Sequence, residues 1–549
     1  MIQSSDFKKR VVYQIYPSSF YDFNNDGWGD LKGIIAKLDY LKELGIGIIW
    51  LSPIYLSPMD DMGYDIADYK RINPRFGTME DFDELLKEAN SRDIKVVMDL
   101  VINHTSTEHE WFKKALETPE NKYRNYYFIK EGKGKKHNKA PNNWQSCFTG
   151  TAWKKIDELP GFYYMHLYCD SQADLNYSNP DVINEVKDIL KFWLDKSVYG
   201  FRCDVINHIY KSSLKKDYSH LLYNRGAKYY SNQDEMFKIL TRFRTEVLDN
   251  YDTFLVGETG ELNKEVGNRF LNERCLDMFF EFDHVYADKS KLIPVIKRKF
   301  NTRRLVKPIF KWQKDVPWIA NYLENHDQLR SVNRYGDPDK YYKESAKMLA
   351  VFLLSLKGTP FIYQGEEIGS LNIEKAALKD CKDVAAISTT KTVERLLKVS
   401  ERKAFKMINE TINRDHARTP MQWDDTENGG FNKGHETWIK VNPLYKKINV
   451  EEEKKDPSSI LNFYKKIINF RNNSDVLKFG DFKEETLTND IVSFFRFYNG
   501  KTYQIILNFS SKKVKYNEIL SLKCLISNYD EDVKLSEIPP YFGGIFEVI

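Results

Sequence analysis

Hydrophobic and polar positions follow two rhythms along the chain. Short apolar runs rich in Val and Ile lie at 11–15, 46–51 and 94–102, and between them, at 31–44 and 79–91, apolar residues recur every three or four positions. The first pattern predicts buried strands and the second amphipathic helices. Their alternation predicts an α/β protein with a parallel sheet covered by helices. The rhythm stops after His104. From 105 to 172 the chain is rich in Lys, Asn, Gly, Trp and Tyr, punctuated by Pro141 and Pro160, and so long a connection predicts a small inserted subdomain. Alternation then resumes with helices at 182–196 and 234–248 and strands at 200–205 and 253–257. Two more strands, at 317–322 and 359–363, flank a helix at 341–356. Residues 366–418 are polar and helical, suited to covering the top of the sheet. Beyond a helix at 457–472 come short alternating runs at 491–497, 503–507 and 545–549, with Asn-Gly and Gly-Gly turns, which predict an all-β module.

At 549 residues the chain fits a large α/β barrel with appendages. Its 34 Phe, 34 Tyr and 10 Trp can build a large core and also line a site where flat sugar faces stack on rings. A net charge of +4, from 83 basic and 79 acidic residues, gives no field for nucleic acid. The six cysteines (147, 169, 203, 275, 381, 524) have no metal-type spacing and read as free thiols in a reducing compartment. The N-terminus lacks an apolar leader, and the longest apolar stretch, 348–356, falls far short of the ~20 residues that span a bilayer. The expectation is a cytoplasmic monomer without a membrane partner.

Three strings carry the chemistry: Gly200-Phe201-Arg202-Cys203-Asp204-Val205, Val256-Gly257-Glu258 and Glu324-Asn325-His326-Asp327. Each puts an acid at or beside a strand end. Positions i and i+2 of a strand share a face, so Arg202 and Asp204 point together and Cys203 turns into the packing between sheet and helix. A guanidinium so placed is expected to keep Asp204 ionised, as a carboxylate nucleophile requires, although a structural ion pair has the same pattern. Glu258, after apolar residues and Gly257, is expected to be partly desolvated, as a general acid requires. Asn103-His104 and His326 add donors at two further strand ends. Active sites of α/β barrels form at that end.

The strings Asp99-Leu-Val-Ile-Asn103-His104, Gly200-Phe-Arg-Cys-Asp204, Gly257-Glu258 and Asn325-His326-Asp327 resemble the signature segments of the α-amylase family of retaining glycoside hydrolases, and Gln172-Ala-Asp174-Leu-Asn176 resembles its additional segment. Val11-Val-Tyr-Gln-Ile-Tyr-Pro17, Ser57-Pro-Met-Asp60-Asp61-Met-Gly63-Tyr64-Asp65, Tyr363-Gln-Gly-Glu-Glu-Ile-Gly369 and Ala417-Arg418-Thr-Pro-Met-Gln-Trp-Asp424 narrow the resemblance to the oligo-1,6-glucosidase and α-glucosidase group. The resemblance covers essentially the whole chain. It implies a (β/α)8 TIM barrel over 1–104 and 173–478, an inserted subdomain over 105–172 after strand 3, and a C-terminal antiparallel β-sandwich over 479–549. It further implies an exo-acting α-glucosidase on small oligosaccharides, with Asp204 as nucleophile, Glu258 as acid/base and Asp327 as transition-state binder. Retention implies that Asp204 and Glu258 lie about 5–5.5 Å apart. By the same resemblance His104, His326 and Arg202 bind substrate hydroxyls or the nucleophile, Tyr64 stacks under the terminal glucose, and Asp61 pairs with Arg418 across the pocket floor. A trehalose-6-phosphate hydrolase is the nearest alternative; a broad α-1,4-glucosidase or sucrose-cleaving enzyme and a noncatalytic binding member of the fold are the others.

Asp22-Phe23-Asn24-Asn25-Asp26-Gly27-Trp28-Gly29-Asp30 sets oxygen ligands at every second position around a glycine, like the first half of an EF-hand loop. Members of the resembled family carry Ca²⁺ or Mg²⁺ here, which maps a structural ion to Asp22, Asn24, Asp26, Asp30 and the Trp28 carbonyl. Val205, directly after the nucleophile, resembles members that cleave α-1,6 bonds. The chain departs from close relatives at Glu324 and Leu329, which are expected to reshape the second-sugar subsite. The basic stretch 288–299 reads as a solvated helix face, with a phosphate-binding role as the alternative.

Overall fold

The computed structural model describes residues 6–219, 225–373, 377–516, 520–529 and 533–549. The first five positions of the N-terminal stretch lie outside them. Eight parallel strands close a barrel in chain order: β1 (Val12–Ile15), β2 (Ile48–Leu51), β3 (Lys95–Leu100), β4 (Gly200–Cys203), β5 (Phe254–Glu258), β6 (Met278–Phe280), β7 (Ala320–Asn321) and β8 (Thr359–Tyr363). Seven of these answer to predicted strands. The eighth, β6, escapes periodicity because three apolar residues are too few to show a period.

Register places the chemistry. Arg202 on β4 sits opposite Asp99 on β3 and Val256 on β5, so all three point into the barrel, while Cys203 is buried on the helix side. Val12, Ile48, Trp50, Phe254, Met278 and Phe361 fill the interior. Phe7 stacks on Phe254 at 5.2 Å and closes the lower end. The barrel is a packed core and leaves only its upper rim for a ligand.

The outer layer includes α1 (Leu31–Ala36), α2 (Leu38–Leu44), α3 (Met79–Ser91), α4 (Pro180–Asp195), α5 (Asp234–Glu246), α6 (Lys264–Asn272), α7 (Thr302–Asp315) and α8 (Tyr342–Ser355). The helix predicted at 31–44 breaks in two because Lys37 leaves helical geometry, its ammonium lying 4.2 Å over both Tyr21 and Trp423. Helix α3 starts at Thr78, whose capping box with Asp81 matches its predicted onset.

Strands His104–Ser106 and Gln172–Asp174 pair antiparallel at the base of the insertion, which carries a three-stranded sheet of Ile129–Glu131, Phe162–Met165 and Trp153–Lys155. Helices α9 (Val384–Leu397), α10 (Glu401–Asn409) and α11 (Asp415–Arg418) follow β8. Helices α12 (Ile460–Asn472) and α13 (Asp475–Phe479) lead to β9 (Asp481–Leu487), β10 (Ile491–Tyr498), β11 (Lys501–Asn508), β12 (Leu522–Ser527) and β13 (Gly543–Val548). Among the described residues these five strands form one antiparallel sheet, where a β-sandwich was expected. The physical reason lies in the partners of its faces. Val492, Phe494, Ile505 and Leu507 join the core of the barrel helices, while Ile491, Ile506 and Phe546 pack under Leu535, Ile538 and Phe542 of the connecting segment. Among the described residues no helix is long and apolar enough to cross a membrane.

Candidate active site

Asp204, Glu258, Asp327, Arg202, Tyr64, His104, His326, Asp61, Val205 and Arg418 converge at the carboxyl ends of the strands. Arg202, 2% exposed, is the hub. Its Nη1 donates to Asp99 at 2.7 Å and to Asp204 at 2.8 Å, and its Nη2 pairs with Glu258. A Cβ at Gly257, just before Glu258, would lie 2.4 Å from the Leu276 side chain. The backbone N–H of Val205 donates to Glu258 at 3.3 Å. Val205 itself is left-handed (φ 37°, ψ 39°), a conformation costly for a β-branched residue.

Both carboxyls bind the same guanidinium, Asp204 at Nη1 and Glu258 at Nη2. Burial pushes the Asp204 carboxyl well above its usual range, and the neighbouring charge of Glu258 adds to this against the pull of Arg202. The expectation that Arg202 keeps Asp204 ionised is therefore corrected: in the free protein desolvation outweighs one shared guanidinium. Asp327 behaves differently. His326, Arg414 and Arg418 hold its carboxyl well below the usual range despite burial.

Tyr64 donates to Asp99 at 3.2 Å, its hydroxyl lies 2.6 Å from His326 Nε2, and the two rings stack at 5.4 Å. His104 donates through Nε2 to the Tyr64 carbonyl at 3.1 Å and accepts from Asn103 at 3.2 Å. Behind it Lys211, wholly buried, pairs with Asp174 at 2.6 Å and donates to Asn103 at 2.8 Å. Burial lowers His104 to about 4 and His326 to about 3, so both are neutral hydrogen-bonding groups near neutral pH.

The pocket floor differs from expectation. Asp61 is bound by Arg414 at 3.2 Å, and Arg418 pairs with Asp327 at 2.8 Å. Arg414 stands one helical turn before Arg418 and reaches Asp61 directly, anchored in turn by Asp383 at 2.7 Å. Gln172 also donates to Asp61, at 3.2 Å. Arg414 and Asp383 escaped the sequence reading; the signal for Arg414 was its i, i+4 spacing from Arg418. Tyr168, whose hydroxyl lies 2.8 Å from His208 Nδ1 and whose ring lies 5.5 Å from His104, was missed as well.

Glu324 is 2% exposed, bound by Arg330 at 3.0 Å and by the Ser331 N–H. Leu329 is likewise buried. One further expectation is corrected. The 288–299 stretch forms no helix: Lys289 and Lys297 pair as a β-bridge, Asp288 binds Arg334 at 2.7 Å, and Lys289 is buried and donates to the Thr411 carbonyl at 3.3 Å. Lys291, Lys297, Arg298 and Lys299 stay exposed, so the stretch is solvated as expected although it is not a helix.

Over the pocket the inserted subdomain meets α9. Thr149 lies 3.2 Å from Ser388 and from Thr392, and Ser388 donates to the Phe148 carbonyl at 3.2 Å.

The candidate metal loop stands apart from these acids. Asp22 accepts from Asp26 N at 3.2 Å, from Gly27 N at 2.8 Å and from Asn432 at 2.9 Å. Asn24 accepts from Asp26 N, Asp26 from Trp28 N, and Asp30 caps α1 through Gly33 N at 2.6 Å. Among the described residues no three His, Cys, Asp or Glu side chains cluster as metal ligands on their own. The loop's donor set is all oxygen, and each carboxylate retains further lone pairs, so it fits a hard cation that also takes amide and carbonyl oxygens.

The alpha-amylase catalytic-domain family model matches residues 14–480. The oligo-1,6-glucosidase of Parageobacillus thermoglucosidasius is 44% identical, covering 99% of each chain. The trehalose-6-phosphate hydrolase of Bacillus subtilis is 40% identical, covering 92% of this chain and 90% of its own. Among solved structures, the isomaltulose synthase of Klebsiella sp. LX3 superposes with a TM-score of 0.95 at 34% identity, covering 100% of both chains. The trehalose-6-phosphate hydrolase of Bacillus licheniformis gives 0.91 at 39% identity, covering 99% of this chain and 100% of its own.

Proposed function

The chain belongs to the alpha-amylase family of glycoside hydrolases, and from that premise we propose that it is a retaining, exo-acting α-glucosidase. It releases terminal glucose from short α-glucosides, leaning to α-1,6 linkages of the isomaltose type. The observation that carries this reading is the Asp204–Glu258 pair gripped by one guanidinium. Two carboxyls held on the two terminal nitrogens of one guanidinium are kept close together, which supports the short separation of retaining enzymes.

A sugar enters between the acids. Arg202 favours the ionised Asp204 as nucleophile, and Glu258, whose side chain is the more open of the two (17% against 10% exposed), serves as the acid. Asp204 forms a bond to the anomeric carbon while the glycosidic C–O bond breaks, and Glu258 delivers its proton to the departing oxygen. Water then attacks the glucosyl-Asp204 ester, giving its proton to Glu258 and freeing Asp204. Asp327, held ionised by Arg418 and Arg414, stabilises the positive charge that develops on the ring. Asp61 with Arg414, His104 and His326 grip ring hydroxyls, and Tyr64 stacks on the sugar face. The buried ion pairs of the floor leave no path for a longer chain, which supports removal of one terminal glucose at a time.

Rates on isomaltose, maltose, sucrose, trehalose and trehalose 6-phosphate test the assignment. Isomaltose as the best substrate supports it, and trehalose 6-phosphate cleavage without isomaltose cleavage overturns it.

The oxygen-rich loop of Asp22, Asn24, Asp26, Asp30 and the Trp28 carbonyl would hold a structural Ca²⁺ or Mg²⁺, fixing the turn into α1. The thiols of Cys147, Cys169, Cys203, Cys275 and Cys381, none of them in a disulfide, support a reducing, cytoplasmic setting.

A further inference from the structure

Arg471 on α12 and Arg496 on β10 meet at the seam between barrel and C-terminal sheet, and both are 0% exposed. They share one turn: Arg496 donates to the Ser355 carbonyl at 2.6 Å and Arg471 to the Gly358 carbonyl at 3.0 Å, on the connection from α8 to β8. Arg496 is well satisfied, donating also to the carbonyls of Leu477, Gly480 and Asp481. Arg471 is not. Its Nε and Nη1 are buried and have no hydrogen-bond partner among the described residues.

The charge is as unmet as the donors. Burial alone lowers Arg471 to about 9, with no acidic neighbour acting on it. Arg496 is also lowered to about 9, by burial and by Arg471, against a partial offset from Asp481. Lys357, beside the same turn, feels Arg496 as a further repulsion. A guanidinium does not shed its proton at neutral pH, so the pair remains doubly positive away from water. Carbonyl dipoles compensate Arg496 in part and leave Arg471 with two strong donors unused.

We infer that Arg471 Nε and Nη1 bind a small monovalent anion of the halide class, which neutralises the Arg471–Arg496 pair and ties the C-terminal sheet to the barrel. A water would meet the hydrogen-bonding demand but not the charge; an anion meets both. Complete burial of the two side chains restricts the ligand to an ion of one or a few atoms.

The full chain is dialysed into chloride-free glutamate buffer and titrated with sodium chloride or bromide at constant ionic strength. The thermal midpoint is expected to rise by about 2 °C or more and to saturate, because the ion binds only the folded state. Arg471→Met, which removes the donors and keeps the bulk, is expected to abolish the rise. An identical halide dependence in wild type and variant overturns the inference. Should Arg471→Met not fold, wild-type crystals soaked in bromide decide: an anomalous peak bonded to Arg471 supports the site, and a water there without bromide signal overturns it.

Discussion

Arg414 donates to Asp61 at 3.2 Å across 353 residues of sequence. The pair closes the pocket floor where Arg418 was expected. Arg414→Gln leaves Asp61 buried without its cation, and kcat/KM for isomaltose is expected to fall about 10- to 100-fold, mostly through KM. Arg418→Gln is expected to act on kcat instead, because Arg418 holds Asp327. Steady-state kinetics of the two variants check the division, and an unaltered KM in Arg414→Gln would return the floor to Arg418.

Glu258→Gln removes the proton given to the leaving oxygen. Loss of a general acid costs about 10²- to 10⁴-fold in rate. For isomaltose the full loss is expected, since a sugar alkoxide is a poor leaving group. For p-nitrophenyl α-glucoside the first step is expected to survive, because nitrophenolate departs unaided. A burst of nitrophenol followed by slow turnover is the expected trace; equal losses on both substrates would sink the assignment of Glu258.

His416 accepts from Ile373 N at 3.0 Å through Nδ1 and donates to the Asn409 carbonyl at 2.9 Å through Nε2. Both ring nitrogens are committed to the neutral tautomer, and burial lowers the group to about 4. The unfolded chain takes a proton on this residue below about 6.5 that the folded chain refuses, so its stability contribution is full above 6.5 and shrinks as pH falls toward 4. His416→Gln is expected to destabilise clearly at pH 7.5 and progressively less toward pH 5, by about 1.4 kcal/mol per unit. A thermal-midpoint difference between the two proteins that does not change over this range contradicts the account.

Val205→Thr keeps the β-branched shape at φ 37°, so any effect reports side-chain polarity and not backbone strain. The ratio of isomaltose to maltose turnover is expected to fall, by a factor corresponding to about 1–3 kcal/mol. Unchanged relative rates would remove Val205 from the specificity argument.

Chelation tests the loop at Asp22. With EDTA the thermal midpoint is expected to drop and to recover on adding Ca²⁺ or Mg²⁺, and Asp22→Asn is expected to lose the response. Equal midpoints with and without chelator in the wild type would leave a plain Asx turn.

The three acids were legible because each ends an apolar run, where period and polarity change together. Two parts of the site were not. Arg414 and Asp383 lie in polar helical segments, where charge marks solvated surface far more often than a pocket floor, and nothing local distinguishes the two. Lys289 failed for the opposite reason: it looked exposed, and only the fold reveals the Thr411 partner of its buried ammonium. Strand β6 vanished because a strand held on both sides by neighbours needs only three residues. The C-terminal sheet was seen strand by strand, but the layers covering its faces belong to distant helices and a connecting segment.

The contact of Thr149 with Ser388 and Thr392 has a consequence in time. With the floor sealed by ion pairs and the rim bridged by that contact, the cleaved sugar and the retained glucose share one exit. The last piece in must be the first out, so the freed sugar departs before water can reach the ester, and another sugar arriving in that interval takes the water's turn. Loosening the bridge would therefore change the order of events, and with it the share of turnovers that build a new glycosidic bond.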